Sequence, residues 1–591
     1  MQFIKFTLAT ILGLCLFFVL LVFILVGIGA SQDKEVVEVK EKSVLKLNLN
    51  VPITEISKSS PFEELGLPET GSSESTIGLI DILKSIKAAK TDEKIKGIYI
   101  EVSMPQAGYA VLHEVREALA DFKKSGKFVY AYSEVYTEGA YYVASVADKI
   151  MLNPAGGMEF NGLIVEKMYL TGMLEKIGVK PEIFKVGDFK SAVEPLMNKQ
   201  MSEADRLQTS TYLNSVYDFY LSNVAQSRNI PLEDLRKISK EMLVRNVGDA
   251  LKYQLITDSV YYDQVTDLLK KATGADEKDE KAKINFISVK KYVKSDFVVN
   301  QNLSKDSRVA VIVAEGDIVS GKGDDESIGS DKIAEEIRKA RKDSKIKAIV
   351  LRINSPGGSA LASDVMWREV QLAKAEKPII ASMSAVAASG GYYMAMGCDT
   401  IVAQPNTITG SIGIFGVLVN AENLLKEKMG LSFDRVATGD YSGLGYPTKT
   451  MSDAEKQIIQ RGIEEGYEKF TSKAAAGRRM HIDSLKKIAS GRVWTGATAQ
   501  KIGLVDVLGG LDVAIQLAAK KANLKEGEYS VKYMPQQKSF IDRLMDVGEK
   551  EVRERNIKSE LGIWYPYYKQ LKRLQTYEGV QARLPFELVI K

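Results

Sequence analysis

The run KIKGIYIEV, beginning at Lys94, returns as KIKAIVLRI at Lys345, and the offset of 251 residues persists on either side of it. Ser133 maps to Ser384, Gly139 to Gly390, Tyr141-Tyr142 to Tyr392-Tyr393, and Pro154 to Pro405. With a drift of one residue in either direction, Gly187-Asp188 meets Gly439-Asp440 and Met201-Ser202-Glu203-Ala204 meets Met451-Ser452-Asp453-Ala454. Self-similarity on this scale means two copies of one fold in tandem, so every motif has to be read beside its counterpart. Both KIK runs are rich in β-branched residues and read as buried strands. IAEEIRKARKDS before the second run and ASDVMWREVQLAKAEK after it carry the spacing of amphipathic helices. Strands alternating with helices predict α/β layers joined by right-handed crossovers. Ser452-x-x-Glu455 has capping-box spacing ahead of a long helical pattern, and Ser202-x-x-Asp205 is a weaker echo.

The charged stretch ADEKDEKAK, residues 275–283, reads as a solvated linker, with a boundary near 275–305. It divides the chain into a first repeat at 31–290 and a second at 291–535. The remaining tail, 536–591, is charged and Tyr-rich and is read as packing on the body. At the other end, no charge occurs in the 25 residues from Phe6 to Ala30. About 20 apolar residues span a hydrocarbon core about 30 Å thick, whereas a signal peptide's apolar region runs to about 7–15. Residues 1–30 are therefore expected to be an uncleaved anchor, contacting the membrane through 6–30. Lys5 precedes the span and no positive excess follows it. That asymmetry predicts a single-pass inner-membrane protein with its body on the periplasmic or other extracytoplasmic side. Lys+Arg number 80 against 76 Asp+Glu, a formal charge of +4, so no basic excess points to a nucleic-acid partner. Two Cys and two His leave little material for a disulfide framework or a metal centre, and chemistry without metal or other cofactor is expected.

The strand pattern PIIASM leads into small residues, and Ser389-Gly390-Gly391 opens an apolar helix. A serine at such a turn presents its hydroxyl where unpaired N–H groups favour developing negative charge; a serine there also caps helices. Gly357-Gly358 follows the Lys345 strand, and paired glycines let backbone amides face a ligand, as an oxyanion requires, or simply make a turn. In the first copy Ser389 is replaced by Glu138, and Asn354-Ser355-Pro356-Gly357-Gly358 by Ser103-Met104-Pro105-Gln106-Ala107. A serine needs a base. His113, on the helical pattern VLHEVREALADF, reads as a surface or boundary residue, and His481 precedes a helix start. A buried neutral lysine replaces histidine in that role. Lys190 stands opposite Ser442, so the first copy holds a lysine without a serine and the second a serine without a lysine. Each copy thus supplies half of one composite site.

These residues resemble peptidase family S49, bacterial membrane-anchored serine proteases, in its long duplicated form. The resemblance rests on Asp188-Phe189-Lys190-Ser191-Ala192-Val193-Glu194-Pro195, Asn354-Ser355-Pro356-Gly357-Gly358-Ser359, Ala388-Ser389-Gly390-Gly391-Tyr392 and Thr409-Gly410-Ser411-Ile412-Gly413, in the family's order. It implies two tandem repeats of the Clp protease and crotonase fold and a ring-shaped homotetramer. Its implied substrates are signal peptides and other apolar peptides left in the membrane. By the same resemblance Ser389 is the nucleophile and Lys190 the general base. Gly358, with the Ser389 or Gly390 region, supplies the oxyanion amides, and Ser411 positions the lysine amine. Two other readings stand beside it: a crotonase-type acyl-CoA enzyme, which needs no Ser-Lys pair, and a catalytically silent membrane scaffold.

Overall fold

A computed structural model describes residues 37–57, 76–275, 283–301, 305–324, 326–535 and 580–583, with isolated residues near the amino terminus and between 557 and 568. Most of the apolar run 6–30 lies outside the described residues. Among the described residues, no helix is long and apolar enough to cross a membrane.

The duplication is visible strand by strand. In the first unit a parallel sheet runs Asp258–Ser259, Lys149–Met158, Phe128–Tyr136, Ile95–Glu101, Ser43–Asn48, Phe286–Ser288. In the second, the parallel order is Val507–Leu508, Thr400–Ala403, Ile379–Ala388, Ile346–Ser355, Ser307–Glu315, Tyr529–Met534. Both KIK runs are buried strands flanked by helices, as their composition predicts: Leu79–Thr91 and Tyr109–Lys123 in one unit, Ser330–Lys342 and Ala360–Lys374 in the other. Helix Ser330–Lys342 buries Ile333, Ala334, Ile337 and Ala340 on one stripe and carries Asp331 in its first turn and Lys339, Arg341 and Lys342 in its last, complementing the helix dipole.

The two long helices are also a pair. Glu203–Arg228 and Asp453–Arg478 each have 26 residues. Ser452 and Glu455 form the reciprocal capping box, and the Ser202 hydroxyl accepts from the Asp205 N–H. Each helix ends on a left-handed residue, Asn229 at φ 53° and Arg479 at φ 54°.

The cores are separate but the units are stitched. Ile287, Val289, Tyr292 and Val298 belong to the first core, which carries that unit past residue 290. The fully buried Arg352 of the second unit donates to Glu55 Oε2 and Glu114 Oε2 of the first, both at 2.8 Å, and to the Ser382 and Ser384 hydroxyls at 3.1 Å. Removing one partner would strand a buried charge, at a cost of about 3–5 kcal/mol. Strand Lys180–Lys185 of the first unit pairs antiparallel with Phe415–Asn420 of the second, in a mixed sheet that also holds Ser327–Gly329, Asp317–Val319, Gly357–Ser359 and Val580–Arg583. That cross-unit pairing brings the Asp188-to-Pro195 motif to the face of the second unit.

Candidate active site

Ser389 stands between strand Ile379–Ala388 and helix Gly390–Ala395 with φ 53° and ψ −111°. A non-glycine residue there is strained, and the surroundings must impose the conformation. They do so through backbone: the Ser389 N–H donates to the Gly410 carbonyl at 2.8 Å, and the Ser389 carbonyl accepts from the Tyr393 N–H at 2.8 Å. The following glycines admit no side chain. A Cβ on Gly390 would stand 2.6 Å from Ser363 Oγ, and one on Gly391 2.9 Å from the Ser355 carbonyl oxygen. The Ser389 side chain makes no capping bond to its helix. Capping therefore does not explain this serine.

The hydroxyl meets Lys190 instead. Lys190 Nζ lies 2.8 Å from Ser389 Oγ, 3.1 Å from Ser411 Oγ and 3.1 Å from the Ser411 carbonyl oxygen. All three side chains are fully buried. Burial holds the Lys190 amine well below the ordinary 10.5. The nearby acid Asp205 is spoken for: Lys167 pairs with it at 2.7 Å, and Ser191 Oγ donates to it at 2.6 Å. Gln208 ties this network to the loop before Lys190, donating to the Phe189 carbonyl at 3.1 Å and accepting from the Val493 N–H at 3.3 Å. Gly491, at φ +79°, packs so tightly that a Cβ there would lie 2.6 Å from Lys190 Cβ. Gln208 and Gly491 escaped sequence reasoning; the chain offers only Ser490-Gly491, an ordinary turn pattern, as a signal.

Gly357 and Gly358 adopt φ 104° and 154°, conformations that a side chain rarely permits. The Gly357 N–H donates to Ser355 Oγ at 3.1 Å, and the Ser389 N–H is engaged with Gly410. The glycines expected to supply the oxyanion donors, Gly358 and Gly390, adjoin these two residues in strand Gly357–Ser359 and helix Gly390–Ala395. Ser411, at φ 50°, is fixed by its N–H bond to the Arg492 carbonyl at 2.7 Å, and so presents hydroxyl and carbonyl together to the lysine.

Among the described residues, the first copy holds nothing comparable. The Glu138 carboxylate is buried and accepts from the Asn161 and Gly162 N–H groups at 2.8 and 2.7 Å. Burial pushes its pKa up. Ser442 is exposed, its N–H bonded to the Gly439 carbonyl, and within the chain it does not meet Glu138. His113 requires a correction: it is buried, 2.9 Å from the Tyr142 hydroxyl, because the helix face that carries it turns into the first core. Burial, then the neighbouring Arg116, holds its pKa down to about 3. His481 is the exposed N-cap of helix Ile482–Ile488. Among the described residues, no group of three or more His, Cys, Asp and Glu side chains converges as a metal site requires.

Comparison with known proteins agrees with this architecture. The model of "Peptidase family S49" matches twice, at residues 121–276 and 371–525, once in each repeat. "Protease 4" of Haemophilus influenzae is 35% identical over 84% of this chain and 82% of its own length. "Protease 4" of Salmonella typhi is 35% identical over 91% and 88%. "Serine protease SPPA, chloroplastic" of Arabidopsis thaliana is 34% identical over 92% and 78%. A mutant ClpP1 from Listeria monocytogenes aligns with 37% of this chain at 12% identity and a TM-score of 0.24, too low to bear on the fold. The acyl-CoA enzyme and the silent scaffold are set aside by these matches. The chain belongs to peptidase family S49 and is a serine protease.

Proposed function

We propose that the protease works through a Ser389-Lys190 dyad and degrades apolar peptides, signal peptides foremost, beside the membrane that holds residues 6–30. The observation that carries this reading is the 2.8 Å approach of Lys190 Nζ to Ser389 Oγ in a fully buried setting. Neutral Lys190 takes the hydroxyl proton as Oγ attacks the peptide carbonyl. The Gly358 and Gly390 amides hold the oxyanion. Lys190 then returns the proton to the leaving amine, and water releases the acyl group. Ser411 orients the amine so that its lone pair points at Oγ. A site dry enough to keep a lysine neutral also favours apolar substrates. Assembly into a ring of four chains, with the body outside the cytoplasm, completes the proposal.

The test is cleavage of a synthetic signal peptide by the detergent-purified chain. The wild type should cut it, and Ser389→Ala should not. Undiminished cleavage by Ser389→Ala would overturn the assignment. Digestion of the body by protease added to spheroplasts checks the orientation; its protection there would reverse it.

A further inference from the structure

The first turns of helix Glu203–Arg228 place a buried polar cluster against the loop that carries Lys190, and the proposed chemistry leaves it unused. Asp205 is its hub. Both carboxylate oxygens accept from Lys167 Nζ at 2.7 Å, and Oδ1 also accepts from the Ser191 hydroxyl at 2.6 Å. Ser191 has a single hydrogen and donates it there, so its lone pairs are left to accept from Gln208 Nε2, at 2.6 Å. The same nitrogen donates to the Phe189 carbonyl at 3.1 Å and stands 3.1 Å from Asp205 Oδ1. A flipped amide would set its oxygen against that carboxylate, so the Gln208 oxygen faces the other way, to the Val493 N–H at 3.3 Å. An ionised carboxylate only accepts, and the Lys167–Asp205 pair thereby sets the direction of every bond in this relay.

The relay ends on both halves of the site. At one end it grips Phe189 and Ser191, the residues on either side of Lys190. At the other it reaches the second repeat, where Val493 stands opposite Gly410 in the antiparallel pairing of Val493–Thr495 with Ile408–Gly410. The Gly410 carbonyl is the one that receives the Ser389 N–H, and the neighbouring Arg492 carbonyl receives that of Ser411. The second repeat has no side chains for such a relay. By the offsets that align the copies, Leu418, Gly443 and Ile458 stand where Lys167, Ser191 and Gln208 do, and Ile458 is exposed. Glu455, the counterpart of Asp205, serves its capping box and pairs with Lys449 at 2.7 Å. A network needed only to seat the long helix would be expected in both copies; this one accompanies the lysine.

We propose that Gln208 is a positioning residue that holds Lys190 against Ser389 across the two repeats, with Lys167 and Asp205 fixing the direction of its amide. The proposal rests on the Ser389-Lys190 reading. A lysine stem is long and flexible, so its loop must be held if the amine is to stay within reach of the hydroxyl. A displacement of about 1 Å costs about 100-fold in rate. Loosening the loop has a second effect. Lys190 Nζ faces two hydroxyls, a carbonyl and, 6.0 Å away, the Phe415 ring, and burial alone holds its pKa down. The charged groups around the loop are otherwise engaged or turned to solvent. Asp205 pairs with Lys167, and Glu194 accepts from the Ser202 N–H and hydroxyl at 3.0 and 2.6 Å. Arg492 stacks on Phe189 and Trp494 at 4.8 and 4.4 Å, and Asp188 is exposed. Burial pushes the phenols of Tyr169 and Tyr212, beside Asp205, up and keeps them neutral. Water admitted by a loosened loop would therefore let the amine return toward its ordinary basicity.

Steady-state kinetics of the full-length chain on an apolar peptide across pH, with melting curves on the same samples, tests this. Gln208→Met keeps the length of the side chain and removes its hydrogen bonds. KM should stay within about twofold, kcat should fall about 10–100-fold, and the acid limb of kcat should move to higher pH. The double variant Lys167→Met, Asp205→Asn removes both charges together and strands neither. It should move the acid limb the same way with a smaller loss in kcat, about three- to tenfold, and it decides the matter if Gln208→Met melts too low to assay. Lys190→Ala, measured alongside, separates this proposal from the reading beneath it. Full activity in Lys190→Ala would overturn both. An inactive Lys190→Ala beside a Gln208→Met that keeps the wild-type kcat, or loses activity with its acid limb unmoved, overturns the positioning role and leaves the dyad standing.

Discussion

The two repeats share a strand order, matched helices and even the left-handed residues that end their longest helices, yet they part at the few positions where the backbone takes an unusual shape. Ser389 sits at φ 53° ahead of its helix, whereas Glu138 opens a regular helix behind Thr137, an N-cap at φ −73° whose side chain accepts from the Ala140 N–H. Gly357-Gly358, at φ 104° and 154°, are replaced by Gln106-Ala107, and Gln106 meets Pro52 in an isolated bridge. The first repeat fills the place of the hydroxyl with a buried carboxylate, one oxygen of which accepts from its own Asn161 and Gly162 amides. A duplicated fold survives loss of its chemistry because apolar patterning holds the core, while a handful of strained positions hold the site.

The largest effect should come from replacing Lys190, the proposed base, by a cation that cannot act as one. Lys190→Arg is expected to lose at least about 10³-fold in kcat/KM, as completely as Lys190→Ala, because a guanidinium stays protonated. Circular dichroism should show both variants folded. An arginine variant with near-normal peptidase activity would mean that Lys190 serves only as a charge.

Rebuilding the silent half should fail. Ser389→Ala combined with Glu138→Ser is expected to stay at background in a peptide assay, since the new serine would lack the strained turn, the lysine and the glycine pair. Restored cleavage would show that the frame alone suffices.

A smaller effect separates glycines that hold the site from those that only turn the chain. Gly491→Ala should lower kcat by about 10–100-fold by displacing Lys190. Gly126→Ala, at φ +78° in open space in the first repeat, should leave kcat unchanged and cost about 1 kcal/mol in a denaturation curve. Equal kinetic effects would erase the distinction.

Titration should give the smallest shifts. Because the folded pKa of Lys190 is depressed, kcat/KM should rise with pH through that lowered value and then level off. In the same window the unfolded chain binds a proton that the folded chain does not, so stability climbs as pH rises toward 10.5. Lys190→Met should accordingly melt a few degrees higher at neutral pH, with the gap closing at alkaline pH. A variant that melts lower at every pH would argue that the lysine's bonds to Ser389 and Ser411 outweigh its desolvation.

Much of this was readable in the chain because duplication supplied an internal control. The offset between the KIK runs located matching strands, and the complementary losses at Lys190/Ser442 and Glu138/Ser389 pointed to one site before any coordinate. Ser202 and Ser452 start their helices as their spacing implies. The unread parts depend on contacts between segments distant in sequence. Gly491 matters only because the Lys190 loop folds against it, and Gln208 because the long helix passes beneath that loop. His113 looked peripheral, since a helix pattern gives the face but not how deeply the neighbours cover it. Val580–Arg583 is too short to announce a strand, and its partners lie more than 150 residues away.

The composite site itself is tested by coexpressing two silenced chains, one Ser389→Ala and the other Lys190→Ala, and measuring kcat/KM of the mixed assembly on an apolar peptide. Because Lys190 and Ser389 meet within one chain, the mixture should be as inactive as either variant alone. Activity well above both would place the lysine and the serine of each working site in different chains, contradicting the account.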